Sequence, residues 1–226
     1  MRNELRNKYL SRPRHNRYLN ATGNDKNRAK RLYNANIRLA QAMHPILTQF
    51  EVVLRNSLNS QLSSYFVDAD WIINQKNVFM RDGSLAHSHY FLRNSVLKSE
   101  RKLTRRGIPV TNGKIISDQT FGFWIALFLG HHYSLIGGQP IHIFAHKPAI
   151  EDRASLYSKL DDIRNFRNRV NHCEPLCFNG NNIDCSETLD IKAKLYNLIN
   201  WIEPDLVPFF ESIDNVQSKV NNIMQI

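Results

Sequence analysis

The chain has 226 residues, 42% of them hydrophobic and 22% charged, with a formal net charge of +10 and a pI near 9.7. That length allows one sizeable core, and the regular recurrence of aliphatic positions excludes a chain that is disordered beyond its ends. The longest apolar run, 121–130, is too short to cross a bilayer and the N-terminus lacks the hydrophobic stretch of a secretory signal, so a soluble cytoplasmic protein without a membrane partner is expected.

The positive charge is unevenly placed. Residues 1–40 carry eleven Lys or Arg against Glu4 and Asp25, a density that suits a polyanionic partner better than a generic surface. Residues 1–25 read as a basic arm, a short helix followed by a turn at Gly23-Asn24-Asp25. Arg12, Arg14 and Arg17 are candidate phosphate contacts, joined by Lys30 and Arg31 in the next segment. Tyr18 has two uses, stacking on a base or packing onto the following helix.

A long helix is predicted over 26–66, from the stripe Leu39, Met43, Ile46, Leu47, Phe50, Leu54, Leu58, Leu62 and Phe66, with Pro45 as a kink point. Glu51 and Arg55 lie one turn apart beside this stripe, either as a simple intrahelical pair or as a support for an arginine elsewhere. A connector over 71–83 precedes a basic helix over 85–106 that Gly107 and Pro109 stop. Arg101, Lys102, Arg105 and Arg106 make this second tract a further candidate for the phosphate backbone. Asp118 or Thr120 caps a helix over 120–130 whose aromatic residues read as core or dimer interface. A loop or hairpin-like stretch follows through His142 and His146.

The helix over 149–172 is where the sequence departs from what a core requires. Leu156, Leu160, Ile163 and Val170 step by three and four, and Arg167 stands inside that series where a leucine would be expected. Stepping back from His172 by fours gives Asn168 and Arg164, while Asn171 lies one turn beyond Arg167. At 3.6 residues per turn Arg167 and His172 stand roughly 140° apart, so they flank one groove or meet across a dimer axis. Pro175 ends the helix and leaves His172 in its last turn, where the dipole favours the imidazolium. After a loop at 179–182, a helix ends before Pro204 and one last helix runs from Leu206 to Ile223 with heptad-like steps. The fold class is therefore all-α, a helical bundle taken as a single domain over 1–226.

Metal chemistry finds little support. The three cysteines, Cys173, Cys177 and Cys185, and His172 lack the paired spacing of structural zinc, and His142 with His146 has no third ligand beside it. No metal and no cofactor are expected.

Taken together, Arg167-Asn168-Arg169-Val170-Asn171-His172, with Arg164-Asn165 before and Cys173-Glu174-Pro175 after, resembles the R-x4-6-H signature of HEPN domains. The nearest likeness is to the Abi-like proteins of bacterial abortive-infection systems. Further matches stand in order along the chain: Leu10-Ser11, Arg17-Tyr18-Leu19, Leu32-Tyr33-Asn34-Ala35-Asn36, Phe50-Glu51-Val52-Val53-Leu54-Arg55-Asn56 and Thr120-Phe121-Gly122-Phe123-Trp124. Cys173 departs from the pattern, since a second histidine is common there. The resemblance implies a HEPN-like bundle with additional N- and C-terminal helices, a homodimer, and a metal-independent endoribonuclease acting in phage defence. It implies Arg167 and His172 as catalytic residues together with Asn168, with Asn168 or Asn171 orienting either partner, and Asn171, Arg164, Glu51 and Arg55 are the supporting candidates. Attack of a ribose 2′-OH on the adjacent phosphate needs proton transfer and charge stabilisation, which an imidazole and a guanidinium supply. Two other readings fit the same residues: an RNA-binding protein that does not cleave, held with a small structured RNA, and a structural role in which Arg167 pairs with Glu51.

Overall fold

A computed structural model describes Leu5, Tyr9 and residues 11–226. Arg2, Arg6 and Lys8 of the basic arm, and Leu10 of the resemblance, lie outside the described residues. The structure is mostly helical, as the periodicity requires. In chain order the elements are α1 (Arg12–Ala21), α2 (Lys26–Phe66), α3 (Trp71–Asn74), α4 (Phe91–Arg105), α5 (Asn112–Asp118), α6 (Phe121–Ala126), α7 (Gly130–Leu135) and α8 (Arg153–Asn171). A two-strand hairpin, β1 (Phe178–Asn179) with β2 (Asn182–Ile183), then leads to α9 (Ser186–Ile202), α10 (Val207–Ile213) and α11 (Val216–Met224). Among the described residues no helix is long and apolar enough to cross a membrane.

Element boundaries follow local chemistry. Pro13 lies in the first turn of α1, where its missing N–H costs nothing. Pro45 sits inside α2, a continuous helix of 41 residues. The basic helix begins later than 85 because His89 and Tyr90 both adopt left-handed backbone, φ 51° and 52°. It stops where expected: Gly107, at φ 64°, donates to the Thr104 carbonyl and Ile108 to that of Leu103. The helix predicted over 120–130 is in fact split into α6 and α7. Neither proposed cap serves it, since the Asp118 carboxylate accepts instead from Ser99 Oγ at 2.8 Å and pairs with Lys102, and the Thr120 side chain makes no capping bond. The motif helix begins at Arg153 rather than 149 because Asp152 Oδ1 accepts from the Ser155 amide at 2.7 Å while Ser155 Oγ accepts from the Asp152 amide at 3.1 Å. The single last helix is broken at Asp214, whose backbone is extended and whose carboxylate accepts from Tyr196 Oη and the Val216 amide, both at 2.8 Å.

The chain forms two compact units. The first comprises Met1–Thr48, Asn165–Tyr196 and Leu206–Ile226. Its core joins Leu32, Leu39 and Met43 of α2 to Phe166 of α8, Leu195 of α9, and Val216, Val220 and Ile223 of α11. The second comprises Gln49–Arg164 and Asn197–Asp205, centred on Phe50, Leu54, Leu58, Trp71, Trp124 and Phe128. Because the units interleave in sequence, chain order does not reveal the division.

Candidate functional site

The last turns of α8 belong to the first unit. The expected substitution of an arginine into the buried stripe is corrected here: the stripe closes through Phe166, 1% exposed, between Ile163 at 1% and Val170 at 6%. Arg167 is half-buried at the edge of that stripe. A step of three followed by a step of four keeps one apolar face continuous, so the phenylalanine supplies the packing and the guanidinium lies beside it. Asn168, Asn171 and His172 are exposed.

The end of the helix is tied in a specific way. Cys173 lies at φ 54° and donates to the Val170 carbonyl at 3.1 Å, while the Glu174 amide reaches the Arg169 carbonyl at 2.9 Å. These are the two bonds of a Schellman motif, with a cysteine in the left-handed position that glycine normally takes. His172 is thereby the C-terminal boundary residue of α8. Its amide donates to the Asn168 carbonyl at 2.9 Å, leaving the imidazole in solvent at the negative end of the helix dipole.

Arg169 has a different task from Arg167. Its guanidinium donates to the Pro175 carbonyl at 2.8 Å, pairs with Glu187 at the start of α9, and approaches Glu174 at 3.5 Å. Asn36 of α2 holds the same segment: its Oδ1 accepts from the buried Leu176 amide at 2.7 Å. The Leu176 carbonyl in turn accepts from Thr188 Oγ1 at 3.2 Å. Neither residue stands out in the sequence as serving the motif, although Asn36 ends one of the segments that carry the resemblance. An apolar groove of about 240 Å³ runs beside this end of α8, lined by Ile37, Ala40, His44, Val170 and Cys173 among others.

The other candidate residues are placed as follows. Arg164, in the second unit, is ion-paired with Asp161 one turn earlier. Glu51 and Arg55, also in that unit, are half-buried on α2. In the first unit Arg12, Lys30 and Arg31 are exposed and Arg14 is half-buried. Arg17 donates to the Gly180 carbonyl at 3.0 Å and lies over the Phe178 ring at 4.7 Å, so it holds the hairpin against α1. Tyr18 is 1% exposed and packs edge-on against Tyr33 and Phe178. Its side chain is buried, so of its two possible uses packing is the one taken. In the second unit Arg101, Lys102, Arg105 and Arg106 are all exposed. The first three line a cavity of about 520 Å³ with Lys98, Ser95, Ser99 and Thr120. Lys102 is internally balanced by Asp118; burial pushes that carboxyl up, but hydrogen bonds from Lys102 and Ser99 outweigh it and hold the group below the usual carboxylate range.

Among the described residues no group of three or more His, Cys, Asp or Glu side chains forms a metal-binding cluster. What the end of α8 can do chemically is grip an anion with a guanidinium and amides, and exchange a proton through a solvent-facing imidazole. No protein-family model, curated protein or solved structure matches the chain.

Proposed function

We propose that the chain is an RNA-directed effector of the abortive-infection type, a metal-independent endoribonuclease with Arg167 and His172 as its reacting pair. The observation that carries this reading is the contrast within one helix end: Arg169 is committed to the Pro175 carbonyl and Glu187, while His172 beside it faces solvent. A buried ion pair or a core would have no use for an imidazole in that position.

In the proposed reaction the His172 imidazole accepts the ribose 2′-OH proton as the 2′-oxygen attacks phosphorus. Arg167 stabilises the charge growing on the non-bridging oxygens, and as the bond to the 5′-oxygen breaks that oxygen takes up a proton from solvent water, the imidazolium later returning its own to solvent. The products are a 2′,3′-cyclic phosphate and a 5′-hydroxyl. Asn168 and Asn171, one turn before His172 and one turn after Arg167 on the same two ridges, are suited to orient the groups. Because the ideal-helix separation of Arg167 and His172 is roughly 140°, one chain does not aim both at the same phosphate, and the reading therefore includes a homodimer in which each copy supplies one of the two.

The same angular separation favours a second reading if the chain is monomeric: an RNA-binding protein of the phage-defence type that holds a small structured RNA without cutting it. Incubation of purified protein with RNA in EDTA separates the two. Cleavage that ends in 2′,3′-cyclic phosphates and is lost in Arg167→Ala and His172→Ala, with both variants folded, supports the nuclease. Tight, salt-sensitive retention of intact RNA over hours supports the binder, and activity that survives both substitutions removes the site.

A further inference from the structure

The N-terminal half of α2 meets α11 in a groove of about 450 Å³ within the first unit, lined by Arg31, Asn34 and Arg38 on one wall and Lys219 and Asn222 on the other. On α2 the steps are three and four, and on α11 three, so each wall presents one face of its helix. No carboxylate side chain lines the groove. The main-chain oxygen of Ile226 at its rim is occupied by Arg28, whose Nε and guanidinium nitrogen donate to it at 2.9 and 2.6 Å. Asp25, close enough to feel Arg31, has its Oδ1 taken by the Asn27 and Arg28 amides at 2.8 and 3.0 Å. Three cations and two amides thus converge in a groove that no acidic side chain lines, and the Ile226 oxygen at its rim is already engaged by Arg28.

We infer that this groove is a binding site for the ribose–phosphate backbone of single-stranded RNA, with α11 supplying half of it. This rests on the RNA reading above and adds to it a site away from the motif. Arg31 and Arg38 are two turns apart, ~10.5 Å along the helix axis, far enough that each reaches a different phosphate of one strand. Their guanidinium groups grip phosphate oxygens at the two ends of that span, with Lys219 facing them as a point charge. The Asn34 and Asn222 amides, each both donor and acceptor, match the 2′-hydroxyls that distinguish RNA from DNA. Lys219 and Asn222 lie on a helix whose heptad-like apolar steps by themselves imply only packing.

The test uses the full chain and a labelled single-stranded RNA of mixed sequence, with binding followed by fluorescence anisotropy across a salt series. Arg38→Gln and Lys219→Gln are expected to weaken binding roughly threefold or more each and to reduce the salt slope by about 0.7 per lost contact, equally for different sequences. Melting temperatures equal to that of the parent show that the fold is kept, and Asn222→Ala, which leaves the charge intact, is expected to narrow the preference for RNA over DNA of the same sequence. A parent chain that binds RNA while both charge variants keep its affinity and slope overturns the groove and leaves the RNA reading standing. A parent chain that binds no RNA overturns both. Retention on phosphatidylserine vesicles in place of RNA assigns the groove to a lipid surface and also overturns the inference.

Discussion

The guanidinium of Arg169 closes on the main-chain carbonyl of Pro175, six residues on, at 2.8 Å. This bond ties the end of α8 to the loop that leads into β1 and, through Glu187, Arg169 also holds the start of α9. Removing it strands a partly buried carbonyl and frees the turn that carries His172. Arg169→Ala should cost about 1–3 kcal/mol, the range for leaving a buried acceptor unsatisfied, which for a chain of this size lowers the melting temperature by roughly 2–4 °C per kcal/mol. Thermal melts of Arg169→Ala and Arg169→Lys check this, and a variant melting with the parent would show that the contact contributes nothing.

Cys173 occupies backbone at φ 54°, where a side chain is strained and glycine is not. The same substitution loosens the unfolded chain, so the net gain is smaller than the strain relieved. Cys173→Gly should raise stability by about 0.5–1 kcal/mol. Urea melts with an unchanged slope and a higher midpoint are the expected result.

The three thiols should behave as two classes. Cys173 is exposed, whereas Cys177 and Cys185 are buried, and burial pushes their thiols up to about 12 and about 11. A thiol in that state holds almost no thiolate near neutral pH and is shielded from reagents. Titration with an aromatic disulfide at pH 8 should find one fast equivalent in the native protein and two more after denaturant is added; three fast equivalents would contradict the buried placement.

Acid sensitivity should begin before carboxylates titrate. His132 is fully buried, donates from Nδ1 to the Ala126 carbonyl at 2.8 Å, and is pushed down to about 4 by burial. The folded-state value is depressed, so the unfolded chain takes up the proton first as pH falls below about 6.5, and stability drops between there and about 4. The most this one group can remove across that window is about 3 kcal/mol, at roughly 1.4 kcal/mol for each pH unit the window spans. His132→Gln should flatten the stability profile in that window while leaving the later loss at lower pH, where depressed carboxylates such as Asp214 and Asp118 become protonated.

Asn36 offers a test of the contact that positions the segment beyond the motif. Its side chain is 4% exposed and accepts the Leu176 N–H. Asn36→Ala leaves a buried amide without its partner and should cost about 1–3 kcal/mol. Asn36→Asp, which keeps an acceptor, should recover part of the loss when melts of the two are compared at neutral pH.

How much of this is legible in the sequence depends on whether the cause is local. The long stripe from Leu39 to Leu62, the glycine stop at Gly107, and an α8 ending before Pro175 all follow from periodicity and backbone preference, which neighbours in the chain decide. The start of α8 falls four residues later than the apolar pattern implies because a side chain at Asp152 sets it. The break at Asp214 is invisible in the sequence because Lys192 and Tyr196 of α9, at 2.7 and 2.8 Å, hold its carboxylate, and the heptad-like steps run on through it undisturbed.

The arginines divide the same way. By itself the sequence determined that α8 carries an excess of cations, amides and one imidazole near its end, since composition and turn counting are sufficient for that. Only the tertiary structure decided that Phe166 rather than Arg167 completes the buried stripe, that Arg169 and Arg17 are spent on main-chain carbonyls of neighbouring segments, and that Lys219 faces Arg31 and Arg38 across a groove. A side chain's partner across more than a turn of helix is fixed by packing between segments far apart in the chain, and no local propensity encodes it.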